Sequence, residues 1–411
     1  MDAELFAQML ADEKLFDLKR MQYKYSVESV AEFVQLLKKG FYRELPLRDF
    51  AGSPVVYQPN ALRQNGQSLR VLLTPERGTF GIQAMEDEFQ ATLNIEQISS
   101  SRHSVRRMLK GFAPENDEEV RLYGMKQGLD FIASSDNAIN EASLRKLYDM
   151  AIGGFLSEEN KLLPGKLYRH APVYISDGRK DIHAGLKPEL LPEYMLEFVT
   201  FIQQDDDLDE LTKAALIHGY LAYLHPYFDG NGRIARLLHQ WYLVQRGYAS
   251  TLFVSFSKLI EASKRQYYRA FRLIEENAAI SGVLDMTPLL SYFAEHVYAK
   301  LERPNEVEHT AIFERELAEG KLTAKEKALW EFVCSTYGKA EFSTKELEKE
   351  YGNAAYATIR TFVLKFSELG LLTSQSYGNR KKYRLAEAYE NGRLDSLFSF
   401  FIKSTINSTI T

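Results

Sequence analysis

The 411-residue sequence contains a single cysteine, Cys334, and no uninterrupted apolar run long enough to cross a bilayer, which takes roughly 20 residues. One cysteine cannot form an internal disulfide and offers no second thiolate for a zinc site. The segment Met1 to Arg20 also lacks the basic start and apolar run of a secretory signal. We therefore expect a soluble, cytoplasmic protein that does not associate with membranes.

A strong charge of one sign is missing as well. The formal net charge is -5, with 45% hydrophobic and 26% charged residues, which is typical of a globular protein. This balance argues against a protein that coats nucleic acid over its whole surface, although local basic patches remain open. A chain of 411 residues exceeds the usual size of one hydrophobic core, so we expect two or three domains.

The fold class follows from apolar residues that recur at three- and four-residue spacing between about residues 90 and 300. This periodicity predicts a mainly α-helical core. One segment breaks it, because two β-prone runs around Ser176-Asp177-Gly178-Arg179 predict a short β-hairpin. The clearest helical segments are Val120–Ile132, Glu141–Ile152, Leu191–Gln204 and Leu211–Leu224.

The C-terminal part has the pattern of a small winged-helix domain. Helical spacing covers Ala324–Tyr337 and Tyr356–Leu369, and Ser343 with Glu346 has the form of a capping box that opens a helix between them. Two β-prone runs then follow, at 371–373 and 382–385. The predicted domains are an N-terminal region (1–89) without assigned chemistry, a catalytic core (90–300), a connector helix (301–322), a winged helix (323–390) and a tail (391–411).

Basic residues are modestly enriched in the predicted winged helix. Lys321 to Glu387 holds 12 Lys and Arg against 8 Asp and Glu, a net charge of +4. Four cations on the predicted wing could contact phosphate, but this excess is small for a DNA-binding surface. Docking to DNA and docking to protein therefore both stay open. The wing cations are Arg380, Lys381, Lys382 and Arg384.

The segment from His225 to Arg236 carries the candidate chemistry, because a loop there meets the start of a helix. Gly230, Asn231 and Gly232 adopt positive φ angles at little or modest cost, so consecutive N–H groups can converge on an anion at the helix N-terminus. Arg233 and Arg236 are three residues apart and share one face of that helix. Two guanidinium groups suit a polyphosphate.

Asp229 and His225 add a candidate metal ligand and a candidate base to the segment. Asp229 is a hard oxygen ligand suited to Mg²⁺, which binds through few protein carboxylates and the substrate phosphates. His225 is the natural general base for a hydroxyl nucleophile near neutral pH.

The whole segment, His-Pro-Tyr-Phe-Asp-Gly-Asn-Gly-Arg-Ile-Ala-Arg, resembles the signature of the Fic family, with Tyr227 in place of phenylalanine. The resemblance extends over roughly residues 90–299 and includes Gly165 to Arg169. It implies an ATP- and Mg²⁺-dependent protein adenylyltransferase, which moves AMP to a Ser, Thr or Tyr hydroxyl and releases pyrophosphate. His225 is then the base and Asp229 the metal ligand.

The same resemblance implies further roles. Nucleotide-binding roles fall to Gly230, Asn231, Gly232, Arg233 and Arg236, and adenine contact to Tyr267 or Tyr268. The hairpin is the expected flap, on which Val173, Tyr174 and Ile175 would dock the target as an added strand. For the tyrosines, an ordinary place in the core is the competing interpretation.

Relatives of this architecture carry an inhibitory glutamate on a helix ahead of the core, which pairs with the second arginine of the motif. The best ungapped match places Ser104 at that position, which predicts that this regulatory brake is missing or weak, because serine cannot neutralise Arg236. It also puts reverse activity, the removal of AMP, in doubt. An inferior alternative match places Thr92 and Glu96 there, followed by Gln97.

Two other polar features have plainer interpretations. His218 lies on the same helix face as His225, and we expect it to pack or hydrogen bond rather than bind a metal. The acidic residues Asp205, Asp206, Asp207, Asp209 and Glu210 precede a helix and are expected to cap it.

Two rival functions stay open: a DNA-binding regulator that senses nucleotide, and transfer of another nucleotide or phosphate-containing group through the same site. An intact His225 argues against pure sensing, because sensing needs no general base. The sequence does not identify the target protein. Self-modification and a homodimer are compatible with it.

Overall fold

The computed structural model describes residues 1–59 and 82–386, except 135, 154–155, 177–180, 249–250, 252–253, 302–312, 314, 318, 338–340, 353 and 379. It divides into two units, Met1–Arg303 and Pro304–Thr411. Both are mainly helical, as predicted, with three short two-stranded sheets in the described part. None of the described helices combines the length and the apolar character needed to span a membrane.

The first unit begins with three helices that enclose a small core of their own, which includes Met21, Phe33 and Leu37. Two strands, β1 (Arg43–Arg48) and β2 (Pro54–Tyr57), follow as an antiparallel pair and contribute to the main core instead. The sequence analysis did not predict these strands. The three helices are α1 (Ala3–Leu10), α2 (Leu18–Tyr25) and α3 (Val27–Gly40).

Among the described residues, the main core contains ten α-helices of six or more residues together with β1 and β2, and it carries one hairpin. Its helices confirm the four helical segments predicted from periodicity, with every end within three residues of the prediction. They are α4 (Ile82–Ile95), α5 (Arg102–Leu109), α6 (Asp117–Ala133), α7 (Glu141–Ala151), α8 (Leu191–Gln203), α9 (Glu210–Leu224), α10 (Asn231–Gln245), α11 (Phe256–Ala262), α12 (Lys264–Ser281) and α13 (Thr287–Tyr292), the last continuing into a π-helical turn (Phe293–Tyr298).

Helix α4 runs across the predicted domain boundary at residue 89. Met85 and Phe89, before that boundary, pack in the same core as Leu93 and Ile95 after it. The strand predicted at Val71 to Leu73 lies outside the described residues. The described residues of the first region in β1, β2 and α4 therefore contribute to the main core.

Helices α9 and α10 form the centre of the unit and pack against each other. Helix α9 is buried on all sides over most of its length, which fits its apolar composition. It begins at Asp209, whose carboxylate accepts hydrogen bonds from the N–H groups of Leu211 and Thr212, so the capping prediction is confirmed there. The six-residue connection between α9 and α10, residues 225–230, is the loop that carries the motif.

The hairpin predicted around Asp177-Gly178 is present as β3 (Tyr174–Ser176) and β4 (Asp181–Ala184), which pair antiparallel. Its turn lies outside the described residues. The base of the hairpin is bonded to the core, because Gly185 N–H donates to Val173 O and Leu186 N–H donates to Leu224 O at the end of α9. The hairpin is thus anchored beside the motif loop.

The second unit has its own apolar core, which includes Leu329, Phe342 and Phe366. The predicted capping box of Ser343 and Glu346 is present, and a second one is formed by Thr323 and Glu326. The element order is the expected one, while the winged-helix assignment stays a prediction. The elements are α14 (Ala324–Thr336), α15 (Thr344–Tyr351), α16 (Tyr356–Glu368), β5 (Leu372–Tyr377) and β6 (Arg380–Leu385). Most of the predicted connector helix lies outside the described residues.

Candidate active site

The motif loop begins with a backbone conformation that few residues adopt. His225 follows the last residue of α9 with φ 54° and ψ 59°, in the left-handed region. Its N–H closes α9 by donating to Leu221 O at 3.0 Å. A non-glycine residue in this region costs on the order of 1 kcal/mol and is enriched at active sites. The turn of the chain at His225 directs the loop toward the start of α10.

The His225 imidazole is largely buried and accepts a proton poorly from water. Burial, the largest cause, lowers its pKa to about 4, so the ring is neutral at pH 7. Nδ1 lies 3.2 Å from the carbonyl of Ala222. Because a carbonyl only accepts hydrogen bonds, Nδ1 carries the ring proton, and Nε2 keeps its lone pair. The ring therefore has the protonation state of a general base.

The start of α10 has the backbone geometry expected of an anion site. Gly230 caps the helix with φ 79°, and a Cβ atom at this position would lie 2.5 Å from Ile152 Cδ1, so glycine is required. The first N–H groups of α10, from Asn231 to Arg233, have no partner within the helix and lie at its positive end. A phosphate oxygen is the natural ligand for such N–H groups.

Asn231 contributes differently from the expectation. Its side chain is buried, its Oδ1 accepts from Tyr227 N–H at 3.0 Å, and its Nδ2 donates to Tyr227 O at 2.8 Å. Both polar atoms are thus used to shape the loop. Only the backbone N–H of Asn231 remains for a phosphate.

The two arginines of the motif lie on one side of α10, as predicted, but in different surroundings. Arg233 is buried, and its Nη2 lies 3.2 Å from Asp229 Oδ2, while its Nε has no hydrogen-bond partner among the described residues. Arg236 has a side chain that is 2% exposed and donates to Thr92 Oγ1 and to Glu96 Oε1, the latter at 2.7 Å. Only Arg236 has a buried ion pair with a distant helix.

The ion pair of Arg236 overturns the expectation about Ser104. Ser104 lies at the start of α5, where its hydroxyl accepts from Ser101 Oγ at 2.9 Å and its N–H donates to the same atom. The carboxylate that pairs with Arg236 belongs to Glu96, directly after α4. The contacts of Arg236 are those expected from the alternative match with Thr92 and Glu96, whereas Ser104, the preferred match, is bonded to Ser101.

Glu96 also blocks the start of α10. A Cβ atom on Gly232 would lie 2.8 Å from Glu96 Oε1, so the carboxylate lies directly against the first turn of the helix. Burial opposes ionisation of Glu96, but the Arg236 guanidinium outweighs it and lowers the pKa of the carboxyl below its ordinary value. An ionised carboxylate therefore lies against Gly232 and Arg236.

A tight turn holds Glu96 in place. Gln97 has φ 59°, and Ile98 N–H donates to Leu93 O at 2.9 Å, the arrangement that ends many helices with a left-handed residue. Lys264 Nζ donates to the carbonyls of Asn94 and Ile95 in the last turn of α4. In the sequence, the sign of this pair of residues is the four-residue, helical spacing of Thr92 and Glu96. The sign is weak because Gln97 follows, whereas glycine is the residue usually found in the left-handed position.

Asp229 fits a magnesium ligand. Its side chain is 54% exposed, one oxygen accepts from Gly230 N–H, and the other faces Arg233. No cluster of three or more His, Cys, Asp or Glu side chains able to hold a metal occurs in the described part of the chain. A site of one carboxylate completed by phosphate oxygens and water suits Mg²⁺.

The two candidate adenine contacts differ in exposure. Tyr267 is buried, and its hydroxyl lies 2.8 Å from His218 Nε2. It is a core residue, and the expected packing role of His218 is confirmed. Tyr268 is 47% exposed and packs edge-on against Tyr267. Of the two, only Tyr268 is exposed enough to contact a base, and Lys264 Nζ lies 5.9 Å from its ring centre.

The expected flap residues lie along the first strand of the hairpin. Tyr174 is 63% exposed, Ile175 is partly buried, and Val173 immediately precedes β3. His183 on β4 holds the hairpin against the core, with Nδ1 2.8 Å from Glu275 and Nε2 2.7 Å from Tyr223 O. Its ring lies 6.4 Å from that of His225, centre to centre. Sequence analysis missed His183, because its partners are distant in the chain.

The site lies inside a segment with known relatives. Residues 138–243 match the Fic/DOC family. This Fic/DOC segment contains β3, β4, the motif loop and most of α10, and the match supports membership of the Fic family. The helix that supplies Glu96 precedes the matched residues.

Two curated relatives and one solved structure illustrate the similarity. Protein adenylyltransferase fic-1 of Caenorhabditis elegans is 27% identical over 120 residues, 29% of this chain and 21% of that protein. Protein adenylyltransferase Fic of Nematostella vectensis is 39% identical over 83 residues, 20% of this chain and 18% of that protein. The chain thus spans about a fifth of the length of each relative. A Fic family protein from Desulfovibrio desulfuricans aligns over 75% of this chain and 88% of its own, with TM-score 0.46 and 18% identity.

Proposed function

We propose that this protein is a protein adenylyltransferase that transfers AMP from ATP to a hydroxyl of a target protein. The observation that carries the proposal is the neutral, buried His225 placed one short loop away from the N-terminus of α10 and its two arginines. The names of the curated relatives support the same activity.

The proposed reaction is an in-line displacement at the α-phosphorus. The target hydroxyl oxygen forms a bond to phosphorus, its proton passes to His225 Nε2, and the bond to the departing pyrophosphate breaks. Backbone N–H groups of α10 and the guanidinium groups of Arg233 and Arg236 would balance the phosphate charge. Mg²⁺, held by Asp229, would supply additional neutralisation of the phosphates.

The Glu96 carboxylate indicates that the resting enzyme is restrained. An incoming phosphate must displace this carboxylate from Arg236 and from the N-terminus of α10, because both anions require the same groups. We infer that Glu96 lowers basal transfer by competing with the γ-phosphate. Glu96 could also act in the reverse reaction, so AMP removal is measured beside AMP transfer.

The flap and the base contact complete the proposal. The exposed edge of β3 at Tyr174 offers a strand for the target, and the exposed face of Tyr268 offers a surface for adenine. Tyr174 and Tyr268 would select the target and the base, whereas the motif would contact only the phosphates. Transfer of a different nucleotide is therefore tested beside ATP.

The deciding experiment uses the full-length protein as wild type, Glu96→Gln and His225→Ala. Each is incubated with Mg²⁺ and each of the four α-labelled nucleoside triphosphates, alone and with cell lysate. We expect AMP incorporation, increased in Glu96→Gln and reduced about 10²- to 10⁴-fold by His225→Ala. His103→Ala, an exposed histidine on α5, is the matched control and should transfer normally.

Two outcomes would contradict the proposal. Equal transfer by His225→Ala would remove the assigned base. If Glu96→Gln binds ATP by calorimetry but modifies nothing with any nucleotide, a nucleotide-sensing regulator becomes the better interpretation, and DNA binding by the second unit is measured next.

A further inference from the structure

Arg169 is a buried cation that is held by backbone carbonyl groups. It is 2% exposed, and in the described part of the chain no carboxylate forms an ion pair with it. Its Nε donates to His225 O at 2.8 Å, its Nη1 donates to Ala171 O at 2.7 Å, and its Nη2 donates to Leu186 O. Burying a charge is costly unless such bonds compensate for it, so this arrangement calls for a reason.

The three acceptors come from three separate segments. Ala171 precedes the first strand of the flap hairpin, Leu186 follows the second, and His225 begins the motif loop. The backbone strengthens the same junction, because Arg169 N–H donates to Pro226 O at 3.0 Å. One guanidinium group therefore joins both ends of the hairpin to the residue that carries the proposed general base.

The junction is specific for arginine. A planar guanidinium presents several N–H donors in fixed directions, whereas the single ammonium of lysine cannot reach three carbonyls in one plane in the same way. Gly185 leaves the necessary space, since a Cβ atom there would lie 2.6 Å from Arg169 Nη2 and 3.1 Å from His225 Cβ. Both residues are thus adapted to a close approach of the hairpin and the motif loop.

His225 needs such support. Its backbone is in the left-handed region, where the conformation persists only if surrounding contacts hold it. The only side chain described as donating to its carbonyl is Arg169. We propose that Arg169 is a positioning residue, which holds His225 in its left-handed conformation and fixes the flap in register with it. This inference rests on the proposed function for its kinetic consequences but not for its structural ones.

The test compares Arg169→Lys and Arg169→Gln with wild type in two measurements. In kinetics, on the Glu96→Gln background if wild type is slow, we expect kcat to fall about 100-fold in both variants while the KM for ATP changes less than about threefold. In NMR titration of the apo protein, Arg169→Gln should raise the pKa of His225, because the neighbouring cation lowers it in wild type. Arg169→Lys keeps the charge and should leave this titration nearly unchanged.

Two further variants separate positioning from general stability. Arg48→Lys alters an arginine of the same unit that pairs with Glu193 and Glu197, and it should keep kcat. Gly185→Ala should lower kcat like the Arg169 variants although Arg169 is intact. The proposal is overturned if the Arg169 variants lower the melting temperature but retain wild-type kcat and His225 titration. If no variant of the protein transfers a nucleotide, the titration alone still decides whether Arg169 acts on His225.

Discussion

The two ends of the motif differ in readiness for the proposed reaction. At one end, His225 is neutral and has a free Nε2, so the chemical group is already in its working state. At the other end, Arg236 and the first turn of α10 are occupied by the carboxylate of Glu96. Under the proposed function, the difference means that access of the nucleotide, rather than the protonation state of the base, would be the controlled step.

The largest expected effect comes from removing the negative charge of Glu96 next to Arg236. Glu96→Gln keeps the size of the side chain but removes its charge, so transfer and ATP affinity should rise about tenfold or more. Stability without ATP should fall by about 1–3 kcal/mol, because Arg236 is left buried without its counter-charge, although Glu96 is partly exposed. Urea denaturation with and without ATP measures both effects, and ATP should restore more stability to the variant than to wild type.

Asp87→Asn is a suitable control for that comparison, because Asp87 lies on the same helix and pairs with Lys258 at the surface. A rise in transfer in this control would show that any loosening of α4 activates the enzyme. The contrast between the two ends of the motif would then not depend on the Glu96 charge.

Through His225, acid should lower the free energy of unfolding rather than the rate of catalysis. The pKa of His225 is lowered from 6.5 to about 4 and that of His239 to about 3, both by burial. Between these values and 6.5 the unfolded chain binds more protons than the folded one, so the free energy of unfolding falls as pH drops through this window. Each histidine contributes up to about 1.4 kcal/mol per pH unit.

Urea denaturation at pH 7, 6 and 5 checks this dependence, and His225→Asn should make it shallower by about one proton. The proposed transfer should in turn show no loss attributable to His225 between pH 8 and 6. A decline with a midpoint near 6.5 would mean that the histidine is more accessible to water than in this structure.

A smaller effect is expected from the turn that holds Glu96. Gln97→Gly relieves a left-handed conformation, which should stabilise the protein by about 1 kcal/mol. Because the relieved turn belongs to the restrained state, basal transfer should fall by up to about fivefold. Gln97→Ala keeps the strain and serves as the control. An equal rate of transfer in Gln97→Gly and wild type would show that the conformation of Gln97 does not affect the restraint by Glu96.

The smallest effect concerns the loop between the two ends. Tyr227 replaces the phenylalanine of the family signature, is fully buried and stacks on Tyr148 with ring centres 3.9 Å apart. Its hydroxyl has no hydrogen-bond partner among the described residues. Tyr227→Phe should therefore increase stability by about 1 kcal/mol without changing transfer. A loss of stability would indicate a bound water or partner at the hydroxyl.

Local patterns predicted the parts of the fold that depend on local interactions. Helical periodicity predicted the core helices, the Ser343 capping box was recognised from two residues, and the hairpin was placed by its β-prone runs. Strands β1 and β2 were missed, because Pro46 and a short alternating pattern give little signal. The domain boundary at residue 89 was misplaced, because packing of α4 into the main core is a long-range property.

The candidate site shows the same division. The sequence by itself determined the motif, the left-handed glycine at Gly230 and the face shared by Arg233 and Arg236, and it singled out His225 as the proposed general base, since these depend on neighbours within a few residues. Tertiary structure alone decided that Glu96 rather than Ser104 pairs with Arg236, and that Arg169 joins the flap to His225. Those contacts link residues 56 to 140 positions apart, and no local pattern specifies which distant carboxylate or carbonyl a buried cation will meet.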